Sequence, residues 1–203
     1  MKRIVSTTVA GLVGSASLVA ATTSAFAHTG VGATSGFAHG FMHPIGGLDH
    51  VLAMVMVGML AGRMGGRATL LVPAAFVTVM MIGGTLGVAG MPLPFVETGI
   101  ALSVLVLGGM VALGIQAPVA VAMGIVGVFA MFHGHAHGAE MPETASGLAY
   151  GGGFVAATIL LHAAGVGLGH LSSGAAKRGG LVYARAAGGL SAVAGVAMLV
   201  GNL

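Results

Sequence analysis

The chain of 203 residues contains no cysteine and no tryptophan, and only 5% of it is charged. Without cysteine there is no disulfide framework, no thiolate metal site and no thiol redox couple. Soluble domains carry roughly 25% charged residues, so an ordinary water-exposed surface is excluded. The pI near 10.0 comes from seven Lys and Arg against four Asp and Glu. They form no basic run, and nucleic acid is not an expected partner. Also missing is any GxxxxGK[ST] segment, the phosphate cradle of an ATP-driven motor.

What the chain does have is apolar surface and glycine. It is 57% hydrophobic with 38 glycines, a composition that suits closely packed membrane helices. The expected fold class is therefore all-α, a polytopic membrane protein whose solvent is the lipid bilayer. Residues 1–27 read separately. Lys2 and Arg3 precede a modest apolar stretch that ends in Ala25-Phe26-Ala27. This is the layout of a cleavable signal peptide, with an uncleaved first helix as the alternative. Cleavage would make His28 the first residue, whose α-amine and imidazole can together chelate a divalent metal.

About 20 apolar residues cross a bilayer as a helix. Six such segments follow the leader, at 43–62, 68–90, 95–114, 118–137, 147–171 and 181–201, and make 28–203 one transmembrane domain. The first reaches full length only if "HPIGGLDH" (43–50) belongs to it. Pro44 is expected in its first turn, with His43 and His50 two turns apart on one face. The fourth is expected to run on into "FHGHAH". With an external N-terminus, Arg63, Arg67, Lys177, Arg178 and Arg185 all fall on the cytoplasmic side, as the positive-inside rule requires. Glu97, Glu140, Glu143 and most histidines fall on the other. Gly83/Gly87, Gly147/Gly151 and Gly165/Gly167/Gly169 are candidate points of close helix approach.

The polar residues within these segments carry the chemistry. An ionisable group in a spanning helix costs about 2.5–3.5 kcal/mol, so Asp49 requires compensation. A structural Asp–His hydrogen bond or a proton relay would provide it, and so would a divalent metal. Imidazole nitrogen with carboxylate oxygen is a ligand set for such an ion. In "MFHGHAHGAEMPE", His133, His137 and Glu140 stand at i, i+4 and i+7 of a helix, with His135 on another face. They form either a cation-collecting mouth or a solvated loop. His162 lies roughly 20 Å into its span by helical rise, as a further ligand or as a satisfied core histidine. The 14 methionines are mostly packing filler. A descending ladder of imidazoles and acids is what ion conduction uses. The residues by themselves thus lead to a divalent transition-metal permease. Two other classes stay open: a zinc-dependent membrane hydrolase using His43, His50, His162 and Asp49, and a metal-sensing scaffold without flux.

Three stretches, "HPIGGLDHVLAMVMVG", "FHGHAHGAEMP" and "FVAATILLHAAGVGLG", resemble the signatures of the HupE/UreJ family of nickel permeases, in the family's order. The resemblance implies a six-helix bacterial inner-membrane protein with a periplasmic mature N-terminus. It would import Ni²⁺, in some members Co²⁺, for hydrogenase or urease assembly. By motif it assigns metal handling to His43, Asp49, His50, His133, His135, His137 and Glu140, with His162 matched in the third stretch. The metal would be cargo rather than a permanent cofactor, and self-association stays open.

Overall fold

The computed structural model describes residues 36–141, 147–173 and 177–201. The expected leader 1–27, His28 and Glu143 lie outside the described residues. Those described form seven α-helices and no strand: α1 (Gly36–Gly46), α2 (Leu48–Met64), α3 (Ala68–Val88), α4 (Val96–Leu113), α5 (Val119–Ala139), α6 (Gly147–Ser173) and α7 (Lys177–Gly201). Five helices are long and apolar enough to cross a membrane, and the bent pair α1–α2 makes a sixth span if counted as one. The chain is an all-α, multi-pass membrane protein.

The ends of the helices follow from local chemistry. Gly65 (φ 69) terminates α2, and Gly114 (φ 68) terminates α4 with its N–H on the Met110 and Val111 carbonyls. Both are left-handed positions at which a β-carbon would be strained. Pro118 precedes α5, where its missing N–H costs nothing. As expected, α5 continues through the histidine-rich stretch.

The first span departs from expectation. It is broken at Gly47, and α1 and α2 meet at 81°. Gly47 is extended (φ −98, ψ 121) and its carbonyl opens α2 by accepting from Val51. Pro44 consequently stands near the end of α1, not in the first turn of a spanning helix. His43 and His50 belong to different helices and share no face. A side chain at Gly47 would push the Asp49–His50 pair aside, because its β-carbon would stand 2.7 Å from both Asp49 Oδ1 and His50 Nδ1.

Burial is inverted relative to a soluble protein. Leu70, Leu148, Leu171 and Leu190 are exposed on the outer surface, while His50, His133, His137 and His162 are buried. Apolar groups outside and polar groups inside is the arrangement lipid imposes. The helices pair as α3 with α5, α2 with α6, α4 with α7 and α1 with α6. Glycine permits each of these contacts, as the α2–α6 and α3–α5 pairs show. A β-carbon on Gly165 would strike the Val55 carbonyl oxygen of α2, and one on Gly134 the Met80 carbonyl oxygen of α3. Gly83, Gly87 and Gly169 likewise meet backbone, whereas Gly151 and Gly167 face open space and Gly147 makes only ordinary contact with Met141. Overpacking of a tight contact costs about 1–3 kcal/mol. Gly165→Val should therefore lower the thermal unfolding midpoint of the detergent-solubilised chain by several degrees, and Gly167→Val should leave it unchanged. Equal midpoints for the two variants would show that the α2–α6 seam does not depend on backbone approach.

Candidate metal centre

Two groups of potential ligand atoms converge where α1, α2 and α5 meet. His50, His133 and His137 form one, all buried; His43, His137 and Glu140 form the other. Within each group the ligand atoms lie within 4.8 Å of one another. The second group is the outer one, with side-chain exposures of 55% for Glu140 and 30% for His43. Its His43 Nε2 lies 3.3 Å from Glu140 Oε2. That hydrogen bond is the main influence holding the Glu140 carboxyl below its ordinary value, so the group stays anionic where a cation would first arrive. His137 belongs to both groups. Its ring centre is 4.6 Å from that of His43 and 4.3 Å from that of His50.

Partners behind the inner histidines decide which nitrogen each presents. Asp49 Oδ1 is 2.7 Å from His50 Nδ1 and accepts from the His50 backbone N–H at 2.9 Å. A carboxylate can only accept, so Nδ1 carries the proton and the buried Nε2 keeps its lone pair without a partner. Asp49 thus acts behind His50, the carboxylate–histidine arrangement found at metal sites. On the other side, the Ser103 hydroxyl donates to the Ile100 carbonyl at 2.6 Å and lies 2.9 Å from His133 Nε2. Its single proton is committed to the carbonyl. His133 Nε2–H therefore donates to Ser103, and Nδ1 is left buried and unpartnered. The two rings meet at 4.9 Å between centres with opposite nitrogens free.

Besides Asp49, which stands behind His50, two more of the expected ligands, His135 and His162, belong to neither group. His135 Nε2–H donates to the Met91 carbonyl at 2.6 Å. It turns away because its neighbours at i±2 face the centre, and it ties α5 to the segment before α4. His162 is buried with neither ring nitrogen paired. It is set off from the inner group by Phe76, whose ring centre is 5.1 Å from His162 and 5.8 Å from His133. The expected quartet His43, His50, His162 and Asp49 is therefore not gathered at one point. Sequence reasoning missed Ser103, Phe76 and Phe154, whose ring is 4.2 Å from that of His137. Only Ser103 carries a signal, as a lone hydroxyl within the apolar run "IALSVLVLG".

The family model for HupE / UreJ protein matches residues 16–198. The chain belongs to the HupE/UreJ family. Among curated relatives, Protein HupE of Rhizobium leguminosarum bv. viciae is 51% identical over 177 residues, which cover 87% of this chain and 91% of the relative. No solved structure matches. The two triads are thus features of a HupE/UreJ chain seen in its own geometry, not carried over from a neighbouring structure.

Removing a partner behind a metal-binding histidine typically lowers affinity about 10–100-fold. Ser103→Ala should do so for a divalent transition metal titrated calorimetrically into the purified HupE/UreJ chain, and Ser103→Thr, which keeps the hydroxyl, should lose far less. Unchanged affinity in Ser103→Ala would separate the hydroxyl from the presentation of His133.

Proposed function

We propose that this chain is an inner-membrane permease that imports Ni²⁺, or Co²⁺, for hydrogenase or urease assembly, with the mature N-terminus on the periplasmic side. The observation that supports it is the pair of triads, one half-exposed and one buried, joined through His137 with free nitrogens on the buried side. The ion exchanges part of its hydration shell for Glu140 and His43, then moves with His137 into the His50/His133 group. A neutral imidazole offers one lone pair at a time, so His137 serves the two triads in turn and the ion is handed inward. Beyond the inner group lie Phe76 and then His162 as the next imidazole. Sites that bind well enough to fill and loosely enough to empty are what conduction needs.

The driving force is the membrane potential. An inside-negative potential contributes about 2.3 kcal/mol per charge per 100 mV, hence about 4.6 for a divalent ion. Imidazole nitrogens select against hard Mg²⁺ and Ca²⁺ but suit Ni²⁺, Co²⁺, Zn²⁺ and Cu²⁺ alike; the choice of nickel rests on the family. For the hydrolase reading no specific observation speaks, because His162 stands away from the other histidines that reading needs.

Radiolabelled Ni²⁺ uptake into proteoliposomes under an inside-negative potassium diffusion potential tests this reading. Loss of a charged-group hydrogen bond or ligand costs about 1.5–3 kcal/mol, so His137→Ala should lower the rate at least tenfold, and the wild-type chain should retain one tightly held ion. Absence of flux for nickel and its competitors in the wild type would sink the permease and leave a static metal site. Flux with two ions held per chain would keep the permease but remove the hand-over through His137.

A further inference from the structure

The end of the bundle opposite the acids holds a second concentration of charge. Arg63 closes α2, and its Nη1–H donates to the Val111 carbonyl near the end of α4 at 3.3 Å. Arg185, exposed on α7, reaches the same place. Where a β-carbon on Gly114 would stand, Arg63 Nη2 is 3.3 Å away and Arg185 Nη2 4.0 Å away. Gly114 has φ 68, so a side chain there would be strained as well as crowded. Two like charges have been brought together rather than kept apart.

Among the described residues nothing offsets them. The described carboxylates, Asp49, Glu97 and Glu140, stand at the start of α2, the start of α4 and the end of α5, and the ion pairs formed there involve histidine, not arginine. The carbonyl end of α4 supplies about half a negative charge, and its Met110 and Val111 carbonyls already accept from Gly114, Ile115 and Arg63. Capping of α4 thus accounts for one guanidinium and not for two. Arg185 lies in the seventh position of an apolar span that begins at Gly179, about 9 Å along the helix, a depth from which a long arginine side chain can reach back toward the headgroups.

We infer that Arg63 and Arg185 form a binding site for a phosphate group, held between two guanidiniums above Gly114. Guanidinium forks match phosphate oxygens in charge and geometry. An anionic phospholipid headgroup and free inorganic phosphate both offer that chemistry.

Native mass spectrometry of the purified full chain with dioleoyl-phosphatidylglycerol, beside dioleoyl-phosphatidylcholine, tests the site. A charge-assisted hydrogen bond contributes at least about a tenfold preference. Arg63→Gln and Arg185→Gln should each lower phosphatidylglycerol retention by about that factor and the double variant by about a hundredfold, with Arg67→Gln, outside the pair, losing no fork and keeping most of the wild-type retention. Retention undisturbed by millimolar inorganic phosphate assigns the site to the headgroup; displacement by it, with equal retention of the two lipids, assigns free phosphate. Retention of either ligand that is unaffected by the double variant, or that falls as much in Arg67→Gln, overturns the site. Arg63→Lys with Arg185→Lys, which keeps the charge at each position, guards against loss of fold: if the double Gln variant fails to fold, the Lys pair should still lose most of the retention because the forks are gone, and wild-type retention in it overturns the site.

Discussion

Buried imidazole nitrogens with no hydrogen-bond partner are the constraint around which this molecule is arranged. His50 Nε2, His133 Nδ1 and both nitrogens of His137 and His162 are shielded and unpaired. A polar group left so inside an apolar medium costs about 1–3 kcal/mol each, and lipid offers no water to relieve it. The unpaired nitrogens of His50, His133 and His137 converge, with Asp49 and Ser103 directing protons away from those of His50 and His133, and such a donor set suits a divalent cation.

Bringing them together requires α5 to sit deep among its neighbours. Gly134 and Gly138 allow its backbone to touch Met80 and Gly84 of α3, and Gly83 and Gly87 answer from the other side. On the far flank Gly58, Gly62, Gly165 and Gly169 do the same for α2 and α6. Between membrane helices no hydrophobic drive exists, so van der Waals contact at such small residues holds the helices in register. The glycine seams and the histidine centre are therefore one structure: the first fixes the distances that the second needs. The break at Gly47 adds the outer station, since only a sharp turn between α1 and α2 lets His43 and His50 approach His137 from two directions.

The two ends of the bundle divide the electrostatic work. Glu140 and His43 keep a partly exposed anionic mouth at one end, and the arginines occupy the other. In the proposed import, an ion moving from mouth to interior would exchange water for oxygen and nitrogen donors in steps, which would keep any single dehydration small. Phe76, in ring contact with both His133 and His162, sets an apolar ring between the inner group and the next imidazole.

Much of this was legible in the order of residues. Span number and boundaries follow from apolar length against a fixed bilayer thickness, and only the first span was misread, because "IGG" permits either a straight helix or a corner and hydropathy does not tell them apart. The stripe of His133, His137 and Glu140 follows from helical period. Period gives a face, however, and not the neighbour that face meets. That His137 rather than Asp49 joins the two groups, that His135 turns to the Met91 carbonyl, and that Ser103 from 30 residues away sets the proton on His133 were decided only when the helices packed. By itself the sequence determined which groups would be carried into the membrane, since burial in lipid depends on composition along one helix; the tertiary structure decided which atoms are free to bind, since that depends on distances between helices.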